Sequence, residues 1–252
     1  MLTLTNLSID RRLTGVNVTA APGRLVHIIG PNGAGKSTLL AAAAGLLPHR
    51  GDVLLCGENV AKLSARELAR RRAYLAQQQD SRAMMRVFQY LELHLPEGAE
   101  AEHIESVTAW LAERLELSDK LDRLLTRLSG GEWQRVRLAA VFLQVWPGLN
   151  PDGRLLLLDE PMSSLDVAQQ DALDRLLRQF CQSGGTAIVS VHHLNHALSH
   201  ADDVWLLNEG RLIAEGAPSE VMMPERLSSV FGIGFELLEA GKQKWLKTQP
   251  LL

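Results

Sequence analysis

The sequence predicts an α/β fold, and three observations carry the prediction. A glycine-rich stretch, Gly30-Pro31-Asn32-Gly33-Ala34-Gly35-Lys36-Ser37-Thr38, sits between an apolar run and a run of strong helix formers. A second apolar run, Arg154-Leu155-Leu156-Leu157-Leu158, ends in Asp159-Glu160-Pro161. From about Arg154 onward, strand and helix patterns alternate through Val204-Trp205-Leu206-Leu207, as in a parallel sheet with helical crossovers.

In chain order, residues 1 to about 80 read as short strands around one helix. Val26, Ile28 and Ile29 form a buried strand, Ser37 to Ala44 the helix, and Gly51 to Gly57 a turn and strand. Glu102 to Leu117 and Glu132 to Val145 read as helices of a middle region that interrupts two α/β halves. The tail from Phe235 to Lys247 reads as a small hairpin turning at Ala240-Gly241. The expected organisation is one domain over residues 1–252, with 1–80 and 151–252 as core and 81–150 as a helical insertion.

Composition sets the outer bounds. With 252 residues, 46% hydrophobic and 22% charged, the chain has enough apolar material for one substantial core. A formal net charge of -3 argues against nucleic acid as the main partner. No apolar stretch approaches the ~20 residues of a membrane-spanning helix, and the N-terminus lacks a signal-peptide pattern, so a cytoplasmic protein is expected. Cys56 and Cys181 are isolated and read as small buried thiols in a reducing compartment.

The glycine-rich stretch has a direct chemical meaning at a strand-to-helix turn. Gly30, Gly33 and Gly35 carry no side chains, so successive backbone N–H groups can close on a triphosphate at the positive end of the helix. Lys36 then reaches the β and γ phosphates, and the Ser37 hydroxyl can ligate magnesium. Asp159 and Glu160 leave a buried strand at its carboxyl end, where ligands bind in open α/β sheets. Asp159 is expected to hold magnesium through water, and Glu160 to orient and polarise the attacking water.

Far along the chain, Leu128-Ser129-Gly130-Gly131-Glu132 supplies a second candidate phosphate-binding turn. Ser129 and Glu132 have capping-box spacing, but Gly130 and Gly131 are costly in a helix start that needs only stability, whereas bare N–H groups there suit a γ-phosphate. Two such turns require two nucleotide-facing surfaces.

Over nearly its whole length the chain resembles the ATP-binding cassette (ABC) ATPases. Gly30 to Thr38 resembles their Walker A, Leu128 to Glu132 their signature and Leu155 to Glu160 their Walker B. Gln77, ending Tyr74-Leu75-Ala76-Gln77, resembles the Q-loop glutamine. Ser164-Leu165-Asp166 resembles the D-loop, and His192 the switch histidine that contacts the γ-phosphate. The resemblance implies a RecA-like core with an antiparallel β subdomain and an inserted helical subdomain. It also implies ATP and Mg2+ as cofactors, held by Gly30, Pro31, Asn32, Gly33, Ala34, Gly35, Lys36, Ser37 and Thr38 of one copy and by Ser129, Gly130, Gly131 and Asp166 of a second, head-to-tail copy. Glu160, His192 and Gln77 take the catalytic roles, and Ser37, Gln77 and Asp159 the metal.

Within the family, Gly131 to Val141, Asp159 to Gln170, Tyr74 to Gln79 and the loop Trp146 to Gly153 most resemble the ATPase subunits of bacterial cobalamin importers. ATPases for iron-siderophore and haem uptake are the nearest alternative. Exporter and non-transport members stand further off, since the chain has no fused membrane spans, no long coiled coil and no second cassette. The implied partners are a second copy, two multispanning permease subunits and, indirectly, a periplasmic binding protein. The implied location is the cytoplasmic face of the inner membrane.

Several features stand apart from the family pattern or need weighing. No Phe, Tyr or Trp precedes Lys36 to stack an adenine; Arg11 or Arg12 can replace one through a guanidinium plane, or both are solvated surface residues. His193 stands where members of the family it resembles usually carry Asp after the switch histidine. Arg66, Arg70, Arg71 and Arg72 form a basic cluster, expected on a solvated helix face, with membrane headgroups as the alternative. His192, His196 and His200 recur at four-residue spacing, but without a Cys or an H-E-x-x-H pattern a metal site ranks below nucleotide chemistry and a surface helix. Met84, Met85, Val87, Phe88 and Tyr90 read as an exposed surface for docking a membrane subunit or, since Val87 and Leu91 have core spacing, as packing inside the helical region.

Overall fold

A computed structural model describes residues 1–77, 83–241 and 243–250. Gln78 and Gln79 of the Tyr74 to Gln79 stretch, and Ser81 at the start of the expected helical insertion, lie outside the described residues. The chain opens with β1 (Leu2–Ile9) and β2 (Leu13–Ala20), an antiparallel pair, followed by β3 (Leu25–Ile29) and α1 (Lys36–Ala43). β4 (Arg50–Leu55) pairs antiparallel with β1 and with the short β5 (Glu58–Asn59), completing a four-stranded sheet in the order β2-β1-β4-β5. α2 (Ala65–Arg71) starts at a Ser64–Glu67 capping box and runs into β6 (Arg72–Leu75).

The helical region follows as α3 (Val87–Glu92), α4 (Ala101–Arg114) and α5 (Gly130–Val145). The expected helix from Glu102 to Leu117 stops at Arg114, because the chain turns through Glu116 at φ 53°. The rest alternates as predicted: β7 (Leu155–Asp159), α6 (Val167–Gln182), β8 (Thr186–Ser190), α7 (Leu194–His200), β9 (Asp203–Asn208) and β10 (Arg211–Gly216). α8 (Pro218–Val221) and α9 (Pro224–Phe231) lead to the C-terminal hairpin of β11 (Gly234–Ala240) and β12 (Gln243–Gln249).

Six strands build the central sheet in the order β10-β9-β3-β8-β7-β6, parallel except for β10. β3, β7 and β8 are buried at every residue, which is why they read as predominantly apolar runs. Strand period sorts their side chains between two cores. Val26, Ile28, Leu155, Leu157, Ile188 and Trp205 face α1 and the antiparallel sheet. Leu25, Ile29, Leu156, Leu158, Ala187 and Val189 face α5 and α6, where Phe142, Trp146 and Phe180 stack edge-wise or tilted.

Four expectations are corrected by packing. Cys56 is exposed, at a turn with φ 52°, whereas Cys181 is buried as expected, its thiol pushed up to about 11 by burial. Met85 is half-buried against the core and its carbonyl accepts from Leu125 N–H at 2.9 Å, while Met84 is 88% exposed. Val87 and Leu91 are buried, so the docking and packing alternatives divide the segment between them. Arg66 and Arg70 are exposed on α2, as expected of a solvated helix face, and pair with Glu97 and Asp152, while Arg71 pairs with Glu58; Arg72 departs from the expectation, lying on β6, where its Nε donates to Ala44 O at 2.8 Å. His192 precedes α7, so the three spaced histidines do not form one helical stripe.

Candidate active site

The end of β3 runs into the glycine-rich loop, and two glycines are fixed there by close approach. A Cβ on Gly30, at φ 152°, would lie 2.2 Å from the Leu207 carbonyl oxygen of β9. One on Gly35, at φ 102°, would lie 2.9 Å from Leu13 Cδ2 and 3.1 Å from Arg12 O. α1 begins without a side-chain cap and without an acid in its first turn, which leaves its N-terminal N–H groups to an anion. Lys36 is 6% exposed and curls back to donate from Nζ to Gly30 O at 2.8 Å and Pro31 O at 3.1 Å. Burial lowers its pKa, opposed by Glu160 and Asp159. An ammonium whose hydrogen-bond partners among the described residues are neutral carbonyls fits a phosphate ligand.

Residues 32–38 of this loop line a cavity of about 380 Å³, together with Arg12, Gln77, Glu160 and His192. Arg12, and not Arg11, is therefore the arginine on the cavity wall. The three candidate catalytic side chains form one hydrogen-bonded unit. Gln77 Nε2 donates to Glu160 Oε2 at 2.6 Å, and His192 Nε2 lies 2.5 Å from Glu160 Oε1. Glu160 adopts φ 50°, a left-handed pose for a residue with a Cβ.

Asp159 is not on the cavity wall. It is 2% exposed, and its Oδ1 accepts from Ser190 Oγ at 2.6 Å, while Glu160 N–H donates to that same hydroxyl oxygen at 2.9 Å. Ser190, which sequence reasoning missed, thus fixes both acids. The available signal was its position at the end of the strand Ala187 to Val191; β8 ends in register with β7, pairing Asp159 with Ser190. Tyr74 lies close enough that burial, and then Asp159, push its phenol up to about 12.

Gln134 and Arg137 of α5 were also missed. Gln134 Nε2 donates to Pro161 O at 2.8 Å, and Arg137 bonds both Gln134 Oε1 and the Ala76 carbonyl. One helix thereby holds the chain on either side of the Gln77–Glu160 pair.

Ser129, Gly130, Gly131 and Asp166 are not brought to the cavity. Ser129 forms the predicted capping box with Glu132, and Asp166 forms another with Gln169 at the start of α6. A Cβ on Gly131 would lie 2.9 Å from Ser164 O, so these two segments adjoin. Glu132 has its pKa lowered by the Ser129 N–H first, with Lys120 and Arg123 contributing. Ser129 and Gly130 are exposed, and a Cβ on Gly130 would meet nothing within 4 Å. His193 sits at the N-cap of α7 without a side-chain cap bond.

A single copy therefore presents a loop-lined cavity on one surface and an exposed helix start, capped by Ser129, on another. The cavity offers a desolvated cation and backbone donors to a polyphosphate and sets a carboxylate across from them, the arrangement of a phosphate-loop nucleoside triphosphatase. Sequence comparison narrows this class to a family: residues 13–163 match the family model described as ABC transporter, and the chain belongs to that family.

Among its relatives is the vitamin B12 import ATP-binding protein BtuD of Yersinia enterocolitica, 54% identical over 249 residues, covering 99% of this chain and 98% of that one. The protein of the same name from Pectobacterium atrosepticum is 55% identical over 246 residues, covering 98% of each. A solved ATP-binding subunit of an ABC transporter superposes with a TM-score of 0.80 at 25% identity, covering 92% of this chain and 93% of that one. A bacterial Atm1-family ABC exporter with ATP bound matches at a TM-score of 0.76 and 24% identity, over 92% of this chain and 41% of that one, a likeness of fold alone.

Proposed function

We propose that the chain is the ATP-hydrolysing subunit of a vitamin B12 importer. The observation that carries the substrate is the end-to-end likeness to proteins named for that import, at 54% and 55% identity. The phosphate cavity supports ATP as the fuel. No helix among the described residues is long and apolar enough to cross a membrane. Two permease subunits, a periplasmic binding protein beyond them and a site at the cytoplasmic face of the inner membrane complete the proposal.

In this mechanism Lys36 turns from the Gly30 and Pro31 carbonyls to the β and γ phosphates, while residues 30–38 close around them. Both oxygens of Glu160 are engaged by Gln77 and His192. A γ-phosphate that draws these two donors to itself releases Glu160 to accept a proton from water. Magnesium, when bound, neutralises phosphate charge; Ser37, Gln77 and Asp159 are the residues to hold it, Asp159 through water. Ser129, Gly130, Gly131 and Asp166 act on the nucleotide of a second copy, which accounts for their distance from the cavity of their own chain.

Glu160→Gln keeps the side chain's shape but cannot take the proton. It should bind ATP normally, abolish turnover and accumulate an ATP-dependent dimer in gel filtration, alone or with the permease. Radiolabelled vitamin B12 uptake should be lost in a strain lacking the chain and restored by the wild type but not by Glu160→Gln. Intact vitamin uptake with loss of siderophore or haem uptake would keep the ATPase and replace the substrate.

A further inference from the structure

A separate group of ligand-type side chains lies between α6 and α7. Asp174, 8% exposed, points from α6 toward two imidazoles of α7. His196 Nε2 lies 2.9 Å and His200 Nε2 3.6 Å from Asp174 Oδ2. Ligand atoms of all three residues lie within 4.8 Å of one another.

The charge of Asp174 has no other evident counterpart among the described residues. Arg178, one turn further along α6, donates to Asp202 Oδ1 at 2.7 Å and to the His200 carbonyl. A buried carboxylate faced only by imidazoles retains an attraction for a cation. Behind His196 the fully buried His27 ring stacks at 5.3 Å, and among the described residues neither of its nitrogens has a hydrogen-bond partner. That ring closes the rear of the cluster. The front is open at His200, whose side chain is 43% exposed.

Two imidazoles one helical turn apart and a carboxylate form a donor set suited to borderline divalent ions. We propose that Asp174, His196 and His200 form a binding site for a divalent transition-metal ion of the Zn2+ class. An imidazole coordinates in its own plane, and the His196 and His200 rings are 14° from parallel. Binding therefore requires one ring to turn, and His200, half-exposed at the end of α7, is the one placed to do so. An ion here ties α6 to α7, and α7 starts directly after His192 and His193.

The test uses the full chain stripped with chelator, without nucleotide, titrated with ZnCl2 in a calorimeter and assayed for retained zinc by mass spectrometry after desalting. Wild type should retain one ion per chain and unfold at a higher temperature with zinc. Co2+ in its place should give the visible absorption of nitrogen and oxygen ligation. His200→Gln and Asp174→Asn should each weaken binding by about tenfold or more and remove the thermal shift. His103→Gln, at an exposed histidine of α4, should change neither. No retained ion in wild type, or unchanged affinity in His200→Gln, overturns the proposal. His200 is exposed enough that its variant should fold and decide the matter even if Asp174→Asn does not.

Discussion

Replacing Arg12 by alanine tests where the base of the nucleotide lies. The turn that carries Arg12 is held against the phosphate loop at fixed distance. Thr14 N–H donates to Gly210 O at 2.8 Å, and Gly210 N–H donates to Ala34 O at 3.0 Å. A Cβ on Gly210 would lie 2.4 Å from Arg12 O, so the two segments meet at a glycine. Arg12 itself is exposed on the cavity wall, and among the described residues no acid pairs with it. Its guanidinium plane is placed to cover an aromatic base, a contact of about 0.5–1 kcal/mol at a solvated position. At about 1.4 kcal/mol per tenfold, Arg12→Ala should raise the ATP dissociation constant about two- to fivefold. The assay titrates each variant with ATP and, separately, with tripolyphosphate, which has the charge but no base. Arg12→Ala should weaken ATP and leave tripolyphosphate unchanged, and Arg12→Lys should fall between alanine and wild type because it keeps the charge without the stacking plane. Equal loss for both ligands would show that Arg12 acts on phosphate charge and would refute the stacking argument.

Other substitutions separate the remaining roles. Lys36→Ala removes the desolvated cation and should weaken ATP and tripolyphosphate alike, by about ten- to a hundredfold on the strength of charged hydrogen bonds, as read by the same titration. Ser129→Arg adds bulk to an exposed surface away from the cavity, so nucleotide affinity should hold while steady-state hydrolysis and ATP-dependent dimerisation fall; a drop in affinity equal to that of Lys36→Ala would defeat the assignment of Ser129 to a second copy's nucleotide. Met84→Glu should fold normally, because the side chain is 88% exposed, yet lose copurification with the permease. Met85→Glu, half-buried against the core, should instead lose about 1–3 kcal/mol of stability in denaturant unfolding.

The parts of the site that were legible in the sequence are those in which neighbouring residues do the work. Gly30 to Thr38 must turn sharply and present N–H groups, so its chemistry is written into consecutive positions. The same holds for the Ser129 capping box and for the apolar strand that delivers Asp159 and Glu160. Ser190, Gln134 and Arg137 were illegible because each acts on a partner far away in the chain: Ser190 on Asp159 and Glu160, Gln134 on Pro161, Arg137 on Ala76. Their residue types are common, and only strand register and helix placement give them meaning. The histidine spacing was an incomplete guide for a related reason. Periodicity grouped His192 with His196 and His200, but the helix begins at Leu194, and the partner of the latter two, Asp174, comes from another helix. Met84 and Met85 show the same limit at one-residue scale, since adjacent positions of like chemistry fall on opposite sides of a surface.

Of the six described non-glycine residues at positive φ, Glu160 is the one that lines the phosphate cavity. A left-handed backbone costs a residue with a Cβ about 1–2 kcal/mol, a cost that glycine would escape. Selection for thermal tolerance alone should therefore drift toward glycine at position 160, enriching robust folds that no longer turn over. Directed evolution of this chain needs an uptake selection running beside any heat challenge, because here the two pressures pull the same codon in opposite directions.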